Sequence, residues 1–260
     1  MIVLWMLTAA WGGLPCESPV PDGWTDVRTV VAGLRTDIRY HTPANFTGGP
    51  LQGYGVPGVW LRAAPAAALG RVHEALEAEG LGLLIYDAYR PLRGTLSMVA
   101  WAKRTGNVAL LDQGYIARRS NHNRGNTVDL TLFDLATGQS LDMGTAWDTL
   151  TPASHTANAT GRAARHRQLL VKAMRAQGWV NYSKEWWHFT WHPDHKPRAR
   201  DIPYGVFEAA EGAWVPPVGW EDEGWVAPSW PVQPCGGAVS PSRSGGAPTA
   251  PSTDPGPPPR

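Results

Sequence analysis

The chain reads as α+β: one folded unit with a small antiparallel or mixed sheet flanked by helices. Apolar residues recur at helical spacing at Leu69, Val72 and Leu76, and again at Leu169, Leu170 and Met174, and the two runs stop at Gly80 and Gly178. Glycine takes the left-handed conformation that closes a helix without a Cβ clash, so two helices are expected. Short runs of strand-forming residues lie between and after them, and this irregular order of helices and strands points to α+β.

Taken in order, residues 1–19 form an N-terminal segment whose first ten residues, Met1 to Ala10, are mostly apolar. That run is too short to span a bilayer and fits the h-region of an export signal, although no Lys or Arg precedes it. If it is a signal, the protein is periplasmic or cell-envelope; otherwise it is cytoplasmic. Cys16 and Cys235 are the only cysteines, which excludes a disulfide framework and a thiolate zinc cluster. A single bridge between them requires export, and Cys16 follows Gly13-Leu14-Pro15, a poor match to a lipidation signal.

Residues 20–207 carry the folded unit. After the first helix, Leu81-Gly82-Leu83-Leu84-Ile85-Tyr86 reads as a buried strand that delivers Asp87 and Arg90 near its end. Val128 to Phe133 reads as a second strand, and Trp179 to Trp191 is rich in aromatic, strand-forming residues. Residues 208–235 are a Trp/Pro-rich extension. Residues 236–260 are nearly all Gly, Pro, Ser, Ala and Thr, which bury too little to offset their ordering entropy, so a disordered tail is expected.

Composition narrows the function. With 260 residues and 43% hydrophobic content the chain can bury one ordinary core. Lys plus Arg number 23 against 22 Asp plus Glu, a net charge of +1 without a basic cluster, so nucleic acid is not an expected partner. No transmembrane span is expected, and the sequence sets no oligomeric state. Of 14 tryptophans, eight fall from Trp179 onward, and most should be core residues because an indole buries large area for one polar atom.

The chemistry sits in two distant segments. Ser120-Asn121-His122-Asn123-Arg124-Gly125-Asn126-Thr127-Val128-Asp129 offers a histidine and an aspartate; Glu185-Trp186-Trp187-His188 offers a histidine with a glutamate three residues before it. Hydrolytic zinc sites keep three protein ligands and leave a fourth position for water, and zinc accepts mixed nitrogen and oxygen donors. His122, Asp129 and His188 make such a set, and Glu185 is then the general base. Arg90 can hydrogen-bond a developing oxyanion, or it can be a turn residue paired with Asp87; the two roles are compatible. Gly125 lets the backbone turn between the first two ligands.

The order Ser-x-His-x-x-Gly-x-x-x-Asp and then Glu-x-Trp-His resembles the zinc D,D-peptidases, and more closely their D-alanyl-D-alanine dipeptidase branch, the VanX-like enzymes. Further stretches carry the likeness: Arg39-Tyr40 with Asn45-Phe46-Thr47-Gly48, Tyr86-Asp87-Ala88-Tyr89-Arg90-Pro91, and Asp142-Met143-Gly144-Thr145-Ala146-Trp147-Asp148. The resemblance implies a single α+β zinc peptidase domain, one Zn2+ per chain, and hydrolysis of D-Ala-D-Ala in cell-wall precursor or peptidoglycan turnover. It implies His122, Asp129 and His188 as zinc ligands, Glu185 as proton acceptor and donor, and Arg90 as transition-state stabiliser. Ser120, Asn121, Asp148 and Tyr40 are the candidates for gripping the dipeptide, Asp148 at its ammonium group.

Asn121 and Thr127 depart from residues familiar in the branch and bear on substrate preference. Two alternatives remain: a D,D-carboxypeptidase or endopeptidase acting on longer peptidoglycan stems, and a zinc-containing binding module without activity. The second would be expected to lack Glu185 or Arg90, and both are present. His192 and His195 are expected at the surface. Asn45-Phe46-Thr47 also spells a glycosylation acceptor, which the resemblance explains better.

Overall fold

The computed structural model describes residues 16–192 and 196–206, apart from the side chains of Cys16, Glu17 and Val206. Its strands are β1 (Cys16–Glu17), β2 (Trp24–Asp26), β3 (Arg35–Thr36), β4 (Trp60–Arg62), β5 (Leu81–Asp87), β6 (Thr127–Asp134), β7 (Trp179–Asn181), β8 (His188–Trp191) and β9 (Gly205–Val206). Its α-helices are α1 (Ala63–Glu77), α2 (Leu92–Arg104), α3 (Val108–Asp112) and α4 (Gly161–Ala176). The expected tail, the Trp/Pro-rich extension and the first 15 residues of the N-terminal segment lie outside the described residues, as does His195. Strand β1 does join the unit, pairing antiparallel with β9.

The main sheet runs β3-β5-β6-β8-β7, parallel between β3 and β5 and antiparallel elsewhere, so it is mixed. Strand β6 is central because its sequence allows it: from Thr127 to Phe133 every residue is buried, with Asp129 turned to the site and Thr127 paired to a neighbouring strand. Thr127 and Thr190, for example, share a hydroxyl hydrogen bond of 3.0 Å across β6 and β8. Helix α1 buries Leu69, Val72 and Leu76 against the sheet, as their spacing predicts, and both expected terminal glycines have positive φ, 76° at Gly80 and 84° at Gly178.

Helix α2 went unread in the sequence. Its inward face is Leu92, Gly94, Thr95, Met98 and Ala102; only two of these are large and apolar, so the helical period is faint. It begins directly after Pro91, whose φ of −52° suits a helix start.

Register places the site. Asp87 on β5 lies opposite Asp129 on β6, and Asp129 lies opposite His188 on β8. The β5–β6 ladder slips between Ile85 and Asp87, a bulge that re-aims the end of β5. Three chemically active residues therefore stand side by side at one end of the sheet.

Candidate metal centre and substrate pocket

His122 reaches this row from a 3-10 turn, Asn121–Arg124, just before β6. Ser120 caps the turn, its Oγ accepting from the His122 amide at 3.2 Å, and Gly125 ends it with φ 71°. A Cβ at Gly125 would lie 2.2 Å from the Trp24 ring, so both the conformation and the space demand glycine.

The donor atoms converge. Asp129 Oδ1 lies 3.2 Å from His122 Nε2 and 3.1 Å from His188 Nδ1, and the two nitrogens are 3.3 Å apart. Donors about 2 Å from a tetrahedral zinc sit about 3.3 Å from one another, so the triangle has the right edge lengths. His122 Nδ1 is 2.6 Å from the Ala88 carbonyl. A carbonyl only accepts, so Nδ1 carries the proton and Nε2 keeps its lone pair for a metal. Asp129 Oδ1 is buried and has no hydrogen-bond partner of its own, which is what an oxygen intended for a cation should show. The residues fit a zinc ion.

Charge around the triangle agrees. Burial raises the Asp129 carboxyl's proton affinity, yet His122 and His188 outweigh it and hold the group well below the usual carboxylate range. Burial pushes the His188 imidazole down, favouring the neutral form that can ligate. Glu185 sits in the turn between β7 and β8, its Oε2 3.6 Å from His188 Nδ1. Burial, then the nearby Asp129 and Asp148 carboxylates, push its pKa well above the ordinary value. Asp148 is pushed up to about 8 by burial and by Asp129, against the pull of the Tyr40 hydroxyl and Arg90. Asp129, Asp148 and Glu185 thus share one cavity where Asp148 and Glu185 resist ionising beside Asp129, a demand for positive charge that a metal and a substrate ammonium would meet.

Arg90 is also here, and it is paired. Its Nε and Nη2 donate to Asp87 Oδ2 at 2.9 and 2.7 Å, while Asp87 Oδ1 accepts from the Tyr54 hydroxyl at 2.6 Å. The fully buried Asp87 fixes the guanidinium plane and leaves Nη1 with only the Met98 thioether, at 3.4 Å. Nη2 stands 3.9 Å from Asp129 Oδ2. Tyr40 lies under Arg90, ring centroid 5.1 Å from its guanidinium carbon, and donates its hydroxyl to Asp148 Oδ2 at 2.8 Å.

All nine residues singled out from the sequence, Tyr40, Arg90, Ser120, Asn121, His122, Asp129, Asp148, Glu185 and His188, line one cavity of about 450 Å³. The hydroxyls of Ser120 and Tyr40 are engaged within the protein, on the His122 amide and on Asp148. Sequence reasoning missed Tyr54 and Met98, which carry no motif, and gave Asp87 only a pairing role; its i,i+3 spacing to Arg90 was the available signal. His192 is exposed, as expected.

With this geometry in view, comparison with known proteins is decisive. The sequence model of the D-ala-D-ala dipeptidase family matches residues 21–203. The chain belongs to that family. A D-alanyl-D-alanine dipeptidase of Streptomyces coelicolor is 40% identical over 187 residues, covering 65% of this chain and 93% of that protein. One of Enterococcus faecium is 34% identical over 198 residues, covering 70% and 94%. A solved structure, the vancomycin resistance D,D-pentapeptidase VanY in complex with Zn(II), aligns at 17% identity over 52% of this chain and 74% of its own, with a TM-score of 0.33. That last likeness is too weak to add to the assignment. The dipeptidase family is one of zinc enzymes, in keeping with the His-Asp-His donor set.

Proposed function

We propose that this dipeptidase-family protein hydrolyses D-alanyl-D-alanine to two D-alanines, with zinc held by His122 Nε2, Asp129 Oδ1 and His188 Nδ1. The observation that carries the reading is the triangle of donor atoms, with edges of 3.1 to 3.3 Å, facing the same cavity as Glu185 and Arg90. Zinc bound there would polarise the scissile carbonyl and acidify a water.

The protein's own groups do the rest. Glu185 takes the water's proton as oxygen adds to the amide carbon, then returns it to the leaving amine nitrogen; its raised proton affinity suits the return step. Arg90, its plane fixed by Asp87, offers Nη1 to the oxygen on which negative charge develops. Asp148, steadied by Tyr40, pairs with the substrate's free ammonium. Ser120 and Asn121 face the carboxylate end from the rim of the His122 turn. The reaction adds one water, breaks one C–N bond and needs no other reactant.

Substrate comparison tests this. The free dipeptide should be hydrolysed with kcat/KM at least about a hundredfold above N-acetyl-D-Ala-D-Ala, because blocking the amine leaves a buried carboxylate unpaired, a loss of several kcal/mol. Equal rates on the acetylated dipeptide or on a pentapeptide stem would instead make the protein a carboxypeptidase.

A further inference from the structure

Asp148 stands in an unusual place. Its φ is 58°, the only positive value of a non-glycine residue among the described residues. A side chain in that region is held there only when its surroundings over-determine it, and such outliers collect at functional sites. The chain on either side has no regular secondary structure beyond two 3-10 turns, Pro152–Ser154 and Thr156–Asn158. Something outside the loop must fix it.

Arg167, on α4, is 1% exposed. Its Nε donates to the Met143 carbonyl at 2.8 Å, Nη1 to the His155 carbonyl at 2.7 Å and Nη2 to the Ala153 carbonyl at 3.2 Å. Five residues before Asp148 and five and seven after it, these carbonyls bracket the outlier. Among the described residues no carboxylate hydrogen-bonds this guanidinium, and burial lowers its pKa against the weaker pull of the Asp142 carboxylate. Burying a cation on carbonyls alone is costly, and only a planar fork of five donors can span three of them at once.

We propose that Arg167 is the positioning residue for Asp148: it clamps residues 143–155 so that the carboxylate is presented to the substrate ammonium. The reading rests on the role proposed above for Asp148. Glu185 has supports of its own, since its amide donates to the Tyr182 carbonyl and its carbonyl accepts from Asn181 Nδ2 at 3.0 Å; its neighbour Trp186 is also tied to the clamped loop, its amide donating to the Ser154 carbonyl at 3.1 Å and its Nε1 to Thr145 Oγ1 at 2.8 Å. Asp148 lies within the clamped segment and Glu185 outside it, so the clamp acts first on substrate recognition. Tyr40 fixes the carboxylate itself, donating to Oδ2 at 2.8 Å, while Arg167 holds backbone before and after Asp148.

The test uses the full-length, zinc-loaded protein and the variants Arg167→Lys, Arg167→Met, Asp148→Asn and the double variant Arg167→Lys/Asp148→Asn. Arg167→Lys should raise KM for D-Ala-D-Ala and narrow its advantage over the acetylated dipeptide about tenfold, with little change in kcat or in zinc content. In the Asp148→Asn background the same substitution should change that ratio less than about twofold, because the two residues act as one unit. Amide hydrogen exchange should quicken in residues 143–155 and stay unchanged in β6. An equal fall on both substrates, or an unchanged ratio in Arg167→Lys while Asp148→Asn narrows it, overturns the proposal. If Asp148→Asn itself leaves the ratio unchanged, the ammonium reading fails, and exchange in residues 143–155 then decides the clamp: no quickening refutes it. Should Arg167→Met fail to fold, Arg167→Lys, which keeps the cation, gives the decision.

Discussion

Glu185 and Arg90 differ in what removing them should do, because the proposed reaction has one move a proton and the other stabilise charge. Glu185→Gln keeps the size and should retain about one zinc per chain while kcat falls on the order of 10² to 10⁴, the usual contribution of a general base. Loss of zinc together with activity would make the carboxylate a ligand, which metal analysis of the purified variant would reveal. Arg90→Lys should cost on the order of 10² in kcat, since an ammonium cannot both pair with Asp87 and reach the oxyanion. Asp148 gives a pH prediction for the metal-free protein. Its carboxyl titrates at about 8 when folded against an ordinary 3.8, so the folded state holds a proton that the unfolded state releases. Stability from this group is therefore complete below the unfolded value and is lost as pH rises through about 8. Glu185 pulls the same way. Asp148→Asn should remove its share and flatten the decline in denaturation midpoint from the unfolded value of 3.8 up to about 8; an unchanged slope would put the effect elsewhere. At this scale the sequence was readable where chemistry is local to a motif, as for His122, Asp129, Glu185 and His188. The Asp87–Tyr54 and Arg167–carbonyl contacts were not, because they join positions 33 residues apart or bind backbone, which has no sequence signature.

Among the elements, β6 and the turn before it do most to place the candidate metal ligands. The strand was evident from Val128 to Phe133, where Val128, Leu130 and Leu132 alternate with Asp129 and Thr131; burial of both faces turns that alternation into an apolar side and a polar side that carries the site. What no single-strand pattern could show is the cross-strand register that sets Asp87, Asp129 and His188 in a row. Gly125 is the sensitive point. Gly125→Ala combines a left-handed φ with a Cβ 2.2 Å from the Trp24 ring, so it should destabilise the fold by about 1–3 kcal/mol. It should also weaken zinc binding, since the His122 turn must shift. A thermal denaturation curve and a metal titration would check both, and wild-type values for the two would show that the turn adapts. Helix α2, by contrast, was hidden by its small inward residues and is fixed by tertiary packing instead.

Across the whole molecule, metal and stability are linked. Three carboxylates with depressed or raised proton affinity share one cavity, and a cation binding only the folded state stabilises it in proportion to the logarithm of its concentration over Kd. Zinc at a hundred times its Kd should add about 2.7 kcal/mol and raise the melting temperature by several degrees, while a chelator should reverse this. The α+β class was legible from two helical runs and the strand-like stretches around them; the order of strands in the sheet was not, because pairing between β3 and β5 or β8 and β6 depends on contacts far apart in the chain. The central claim is that His122, Asp129 and His188 hold the zinc that hydrolyses a free D,D-dipeptide. Its most direct test is release of D-alanine from D-Ala-D-Ala by chelator-treated protein, before and after one equivalent of zinc, with His122→Ala alongside. Activity should vanish on chelation, return with zinc in the wild type and stay absent in the variant. Full hydrolysis by the metal-free protein, or zinc-restored activity in His122→Ala equal to wild type, would contradict it.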